Sequence, residues 1–316
     1  MLRWRGLDDV PSGWGRCVVT IGVFDGVHRG HAALISAAVA AARAARLPSV
    51  VLTFDPHPME VIRPGTHPPL LTTQPRKAEL IAELGVDVVC VLPFTAEFAR
   101  LSPAEFAHQT LIEQLHAALV VVGQNFTFGY QASGDVAELE RLGAAFGFGV
   151  RSIGLVSAAD ATLSATYVRS CVLAGDIATA NEALGRPFRL DGVVVRGDQR
   201  GRELGYPTAN LHADRYAAVP ADGVYAGRAV HLDEWGNTSA GAPLAPAAIS
   251  IGTNPTFDGK HRNVEAFLLD FHADLYGQGL GIEFTHRLRG MSTFDSADAL
   301  VTQIAHDVAK TRQLVS

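Results

Sequence analysis

The chain has 316 residues, 48% of them hydrophobic, which is enough for two domains with substantial cores. Its net charge of −6 gives no reason to expect a nucleic acid partner. Three widely spaced cysteines, Cys17, Cys90 and Cys171, fit a reducing compartment. The N-terminus lacks the apolar core of a signal peptide, and the Ala-rich segment after His31 is shorter than the ~20 apolar residues of a membrane span. We expect a cytoplasmic protein without a membrane partner, and homo-oligomer formation stays open.

The first half of the chain alternates short apolar runs with helical segments. The predicted strands are Cys17–Phe24, Ser49–Phe54, Asp87–Leu92, Leu119–Val122 and Val150–Val156. The predicted helices are Ala32–Arg46, Arg76–Leu84, Ser102 to about Leu115, and Val136–Phe146. Strands that are apolar on both faces are typical of a parallel sheet with helices on both sides, so this half predicts an α/β domain.

The second half has a different pattern. Tyr167–Leu184 predicts one or two helices, and beyond Arg189 short apolar runs are separated by glycine-containing turns. That spacing is typical of a small antiparallel barrel. A helix over Ser296–Lys310 ends the pattern. We place the boundary near Gly185–Leu190, with domains over residues 1–186 and 187–316.

The string TIGVFDGVHRGH, Thr20–His31, predicts the first chemical site. A strand ends there, turns on two glycines and leads into a helix, whose free N–H groups and dipole favour phosphate. His28 and His31 lie one helical turn apart, and imidazole can donate a hydrogen bond to a phosphate oxygen. An ordinary turn with surface histidines is the alternative. The complete string at a strand-to-helix junction favours nucleotide binding.

The string VVVRGDQRGRELGYPTANL predicts a second site. A glycine-rich loop with exposed N–H groups can hold phosphate. Thr208 and Asn210, two apart on a strand, point the same way, and their side-chain oxygens suit Mg²⁺. The alternative is a glycine-rich hairpin without a ligand.

Glu265 is a lone carboxylate in the apolar strand NVEAFLLDF. Burying an unpaired carboxylate is unfavourable, so the residue needs either a partner or a role. It either pairs with Arg287 or Arg289 inside the barrel, or acts as a general base at a cleft.

Both motifs resemble those of a known family. GxFDGxHxGH resembles the signature of the bacterial bifunctional riboflavin kinase/FMN adenylyltransferases, also called FAD synthetases, and GxxxGRxLGxPTAN resembles their riboflavin kinase signature. The strings VVGQNFTFGYQASGD and LSATYVRS resemble two further segments of the same family. The resemblance implies a Rossmann-like nucleotidyltransferase domain, then a six-stranded flavokinase-type barrel with a closing helix. It also implies ATP, riboflavin and FMN as substrates, FAD as product, and Mg²⁺.

The resemblance also implies residue roles. His28 and His31 contact ATP phosphates and stabilise the pentacovalent α-phosphorus, Glu265 is the catalytic base, and Thr208 and Asn210 hold Mg²⁺. Further nucleotide or phosphate contacts fall on Gly22, Phe24, Asp25, Gly26, Asn125, Ser164, Thr166, Arg169, Gly197, Arg200, Gly201, Arg202 and Gly205.

One position departs from the family pattern. Ala165 stands where the family has a second serine, which removes a hydroxyl donor worth ~1 kcal/mol. This motivates one alternative, a monofunctional riboflavin kinase whose front domain has lost adenylylation. Two others are a nucleotidyltransferase with a non-flavin substrate, and a non-catalytic flavin-binding protein, for which Glu265→Ala would be harmless.

Overall fold

The structure, a computed structural model, describes residues 1–158, 161–197, 201, 204–239, 244–253 and 262–315. The chain forms two compact units, Met1–Pro68 with Lys77–Ser164, and Pro69–Arg76 with Ala165–Ser316. The helices after Ser164 thus belong to the second unit, whereas the sequence analysis assigned them to the first domain. The domain boundary between residues 186 and 187 stays a prediction.

A six-stranded parallel sheet forms the centre of the first unit, in the order β1-β4-β3-β2-β5-β6. Its strands are β1 Leu2–Trp4, β2 Cys17–Ile21, β3 Ser49–Asp55, β4 Val88–Pro93, β5 Ala117–Gly123 and β6 Gly149–Ile153. Five of them confirm the predicted strands with shifted ends. The sixth, β1, was not predicted, because three residues are too few to show a hydrophobic pattern.

Helices cover this sheet and also open the second unit. They are α1 Arg29–Ala45, α2 Pro58–Ile62, α3 Gln74–Glu83, α4 Pro103–Glu105, α5 Val136–Phe146, α6 Ala165–Ala174 and α7 Ile177–Leu184. A small hairpin of β7 Ser157–Ala158 and β8 Ala161–Thr162 precedes α6. The helix predicted from Ser102 to about Leu115 begins with the expected capping box, but Phe106–Gln114 is a π-helix. Hydrophobic spacing over so short a segment did not distinguish the two helix types.

The strand order places a crevice at the centre of the sheet. The chain passes from β2 outward to β3 and β4 on one side, and returns to β5 and β6 on the other. In open α/β sheets, ligands bind at such a reversal, beyond the carboxyl ends of the strands. The turns that follow β2 and β5 therefore flank the expected binding crevice.

A closed antiparallel barrel forms the centre of the second unit, in the order β10-β13-β12-β11-β14-β9. Its strands are β9 Phe188–Val195, β10 Ala209–Ala213, β11 Gly223–Leu232, β12 Ala245–Thr253, β13 Arg262–Leu268 and β14 Gly279–Arg289. Alternate residues point inward, and on β13 these are Val264, Ala266 and Leu268. The predicted six-stranded barrel is confirmed.

Helices close the barrel unit. The predicted C-terminal helix is present as α8, Ala297–Val315, and packs on β11 and β12. Asn181 of α7 donates to the Phe284 carbonyl at 2.9 Å and accepts from the Phe188 amide at 2.7 Å. These two bonds attach α7 to the barrel.

Candidate active sites

The turn between β2 and α1 has a backbone that few residues can adopt. Phe24 is left-handed, with φ of 53°, and its ring is buried. A β-carbon at Gly22 would lie 2.9 Å from this ring, so only glycine fits there. Gly26 has φ of 77°, which also favours glycine. The buried ring of Phe24 therefore packs against the turn. The turn brings the main chain to the crevice at the end of β2.

His28 caps the N-terminus of α1. Its Nδ1 accepts hydrogen bonds from the amides of Gly30 at 3.1 Å and His31 at 3.3 Å. Because Nδ1 is an acceptor, a neutral His28 ring carries its proton on Nε2 and can donate from there. The cap therefore occupies Nδ1 of His28 and two of the amides that the sequence led us to expect as free N–H groups at the start of α1.

His31 stacks on His28 with ring centroids 3.7 Å apart, and meets the edge of Phe24. Burial, together with His28 and Lys77, lowers the pKa of His31 well below its usual range. Its buried Nδ1 has no hydrogen-bond partner among the residues that the structure describes. At neutral pH this imidazole is therefore uncharged, and it can contribute a hydrogen bond but no positive charge.

Lys77 is the residue of this site that the sequence analysis missed. It lies on α3, is 5% exposed, and its Nζ donates to the Val23 carbonyl at 3.1 Å, within the β2–α1 turn. Burial lowers its pKa to about 8, against the opposing influence of Asp25 and Asp55. The sequence did contain an indication of this role. Lys77 shares the apolar face of the helix with Leu80, Ile81 and Leu84, where a charged side chain is unusual.

The remaining predicted nucleotide contacts have different surroundings. Asn125 is exposed just beyond β5, at the crevice, and Ser164 immediately precedes α6. The Leu163 carbonyl lies 3.5 Å from where a β-carbon of Gly30 would be, so this segment passes the start of α1.

Thr166 and Arg169 belong to the second unit. Thr166 is exposed, whereas Arg169 is buried and donates to the Pro69 carbonyl at 2.6 Å. Their contact with nucleotide stays a prediction.

The barrel brings together the three residues expected to act in its reaction. Glu265 of β13 is half-buried on the outer face and lies directly opposite Asn210 of β10. The Thr208 hydroxyl donates to Oε2 of Glu265 at 3.1 Å. A carboxylate, a hydroxyl and an amide thus meet beside the glycine-rich loop.

The alternative partners of Glu265 are engaged elsewhere in the described residues. Arg287 donates to the Asp222 carbonyl at 3.0 Å, and Arg289 pairs with Asp307 at 2.8 Å. The contact described for the Glu265 carboxylate is the one with Thr208. This arrangement favours a role in chemistry over an internal ion pair.

Two glycines of the loop are required by close approach. A β-carbon at Gly197 would lie 2.4 Å from Oδ1 of Asn210, and one at Gly201 would lie 2.4 Å from the Tyr206 carbonyl. Gly205 has φ of 85°, which favours glycine. The predicted phosphate contacts Arg200 and Arg202 lie outside the described residues.

Comparison with known proteins identifies the family of the chain. The family model for FAD synthetase matches residues 10–167, and the model for riboflavin kinase matches residues 184–315. A protein of Escherichia coli K12 is 37% identical over 94% of this chain and 92% of its own. A protein of Pseudomonas fluorescens is 38% identical over 99% of this chain and 97% of its own. Both are named bifunctional riboflavin kinase/FMN adenylyltransferase. The chain belongs to this family.

A solved structure shares the complete fold. It is a protein of Streptococcus pneumoniae described as a macrolide-efflux protein, 32% identical to this chain. The match covers 98% of both chains, with a TM-score of 0.86. Among the helices described for the present chain, none has the length and apolar character needed to cross a membrane.

Enzymes of this family use ATP, which generally requires a divalent metal, and the barrel site offers suitable ligands. The oxygens of Thr208, Asn210 and Glu265 lie on one side of β10 and β13. Hydroxyl and amide oxygens are hard ligands, and Mg²⁺ typically takes few protein ligands and completes its shell with water and phosphate oxygens. The residues present fit Mg²⁺.

Proposed function

We propose that the barrel unit phosphorylates riboflavin to FMN, and that the front unit transfers AMP from ATP to FMN, giving FAD and pyrophosphate. The observation that carries the proposal is the convergence of Glu265, Thr208 and Asn210 on one side of the barrel. The capped histidine pair at the crevice of the parallel sheet supports the second reaction.

In the kinase reaction, Glu265 accepts the proton of the riboflavin 5′-hydroxyl, so that the oxygen can attack the γ-phosphate of ATP and displace ADP. Thr208 orients the carboxylate through the hydrogen bond to Oε2 and leaves Oε1 for the substrate. Thr208 and Asn210 would hold Mg²⁺, which neutralises phosphate charge when bound. A metal-bound hydroxyl keeps its proton, so Thr208 can serve both purposes.

In the adenylyl transfer, the nucleophile is the FMN phosphate, which is already ionised at neutral pH. No side-chain base is required, and the site needs hydrogen-bond donors for the charge that develops at the α-phosphate. Nε2–H of a neutral His28 is such a donor, and the positive end of the α1 dipole favours the same charge. The neutral His31 packs against the His28 ring.

One time course tests the proposal. Purified protein is incubated with riboflavin, ATP and Mg²⁺, and riboflavin, FMN and FAD are separated by chromatography. We expect FMN to rise first and FAD to follow. FMN accumulating without FAD would instead identify a monofunctional kinase, as the alternative motivated by Ala165 requires. Flavin binding without turnover would indicate a binding protein. If the protein neither binds nor converts flavins, it would be a nucleotidyltransferase with a non-flavin substrate.

The cellular setting belongs to the same proposal. We place the enzyme in the cytoplasm, since sparse cysteines fit a reducing compartment and both reactions use ATP. The net charge of −6 supports small phosphorylated substrates held by local groups, without a nucleic acid partner.

A further inference from the structure

Lys77 is a buried cation directly beneath the β2–α1 turn. Its ammonium donates to the Val23 carbonyl at 3.1 Å and lies 3.5 Å from Oγ1 of Thr53, which itself donates to the same carbonyl at 3.0 Å. Both contacts connect α3 and β3 to the main chain of the turn. The side chain therefore holds the segment whose backbone approaches the crevice.

The charge of Lys77 faces two acidic residues. Asp25, which is 3% exposed, lies in the turn itself, and Asp55 ends β3. Both interact with the ammonium, and His31 on α1 is the third titratable group described as interacting with it. Two carboxylates at this edge would repel a polyphosphate, and a cation that interacts with both reduces that repulsion.

Burial makes this ammonium unfavourable, as its pKa of about 8 shows. A neutral side chain of similar length would fill the space without that penalty. The presence of lysine at this buried position therefore indicates a role for the positive charge, in addition to filling the space.

We propose that Lys77 is a positioning residue for adenylyl transfer, whose buried ammonium anchors the turn through the Val23 carbonyl and neutralises Asp25 and Asp55 where the ATP phosphates bind. The inference rests on the proposed FMN adenylyltransferase function. Lys77 also helps to keep His31 uncharged, because a nearby cation disfavours the imidazolium.

The test compares Lys77→Met and Lys77→Arg with Lys310→Met, which alters an exposed lysine on α8. FMN adenylylation is measured with supplied FMN and varied ATP, and riboflavin phosphorylation by the same preparations is the internal reference. We expect Lys77→Met to raise KM for ATP at least tenfold, with a smaller change in kcat. Lys77→Arg recovers most of the loss, and Lys310→Met matches the unmodified enzyme.

The pH profile separates charge from packing. Adenylylation by the unmodified enzyme should fall above about pH 8, as Lys77 loses its proton. In Lys77→Arg that alkaline limb should move upward, because guanidinium stays protonated. This comparison remains valid even if Lys77→Met fails to fold.

Three results would contradict the inference. One is a KM for ATP that is unchanged in Lys77→Met, and another is an alkaline limb that is the same in Lys77→Arg. The third is an equal loss of both activities in folded Lys77→Met, which indicates a general structural role. If the unmodified enzyme forms no FAD, the proposed function itself is refuted, and the inference with it.

Discussion

The two sites offer a ligand opposite kinds of groups. At the β2–α1 turn the proposed site presents the positive end of the α1 dipole and Nε2–H of a neutral His28, near the buried ammonium of Lys77. At the barrel it meets acceptors, the carboxylate of Glu265 and the amide oxygen of Asn210, with the Thr208 hydroxyl turned toward the carboxylate.

The difference follows from the two nucleophiles. A riboflavin hydroxyl must lose a proton before it attacks, so its site needs a base and a cation to offset phosphate charge. An FMN phosphate needs no base, so its site consists of groups that stabilise negative charge. If this comparison is correct, substitutions should affect one activity at a time.

The largest effect is expected at the base. Glu265→Gln keeps the size of the side chain but cannot accept the hydroxyl proton, and riboflavin phosphorylation should fall ~10²–10⁴-fold. Adenylylation of supplied FMN should be unchanged. Glu265→Ala should have the same selectivity.

The matched control is Glu283→Gln, which alters a half-buried carboxylate on β14, three strands away from β13 around the barrel. It should leave both rates intact. Kinase activity that survives both substitutions at position 265 would remove Glu265 from the mechanism.

The reverse pattern is expected from the histidine pair. His28→Ala combined with His31→Ala removes the proposed donor at the α-phosphate and the ring that packs against it, and FAD formation from FMN should fall about 10²–10³-fold while riboflavin phosphorylation continues. His108→Ala changes an exposed histidine of the same unit and is the control. Equal loss of both activities in the double variant would contradict the division into two sites.

A smaller effect is expected at the predicted metal ligands. In Asn210→Ala, the Mg²⁺ concentration that gives half-maximal kinase activity should rise about tenfold, since one of a few oxygen ligands is lost. FMN adenylylation, titrated in the same preparation, provides the reference. An unchanged Mg²⁺ requirement of the kinase would exclude Asn210 as a ligand.

The smallest effect is expected from Gly197→Ala. The added methyl would lie 2.4 Å from Oδ1 of Asn210 and must displace it, so kinase activity should drop several-fold, with a stability loss of ~1–3 kcal/mol. Gly290→Ala places a methyl with no atom within 4 Å and should be neutral. Thermal unfolding and kinase assays of both variants measure the difference, and identical behaviour would show that the close approach is unimportant.

Local strings pointed to many of the residues that the structure places at the two candidate sites. The glycines, the histidine pair and the Thr208–Asn210 pair each lie within a few residues of one another, so spacing alone was informative. The fold class followed similarly, because long apolar runs and short glycine-separated runs differ plainly along the chain.

Contacts between distant residues could not be predicted in this way. Lys77 meets Val23 through the packing of α3 against the sheet, and Thr208 meets Glu265 through the register of β10 and β13. Neither pair shares a motif. The resemblance to a family suggested roles for Thr208 and Glu265 separately, but only the fold joins them.

The closed barrel has a consequence for encounters between chains. Its described strands leave no unpaired edge, whereas the parallel sheet ends at β1 and β6. Both edge strands are short and have an arginine at their centre, Arg3 in one and Arg151 in the other. Short, charged edges disfavour the addition of a strand from a neighbouring molecule. Resistance to aggregation at high concentration should therefore depend on these two arginines of the first unit more than on any surface of the barrel.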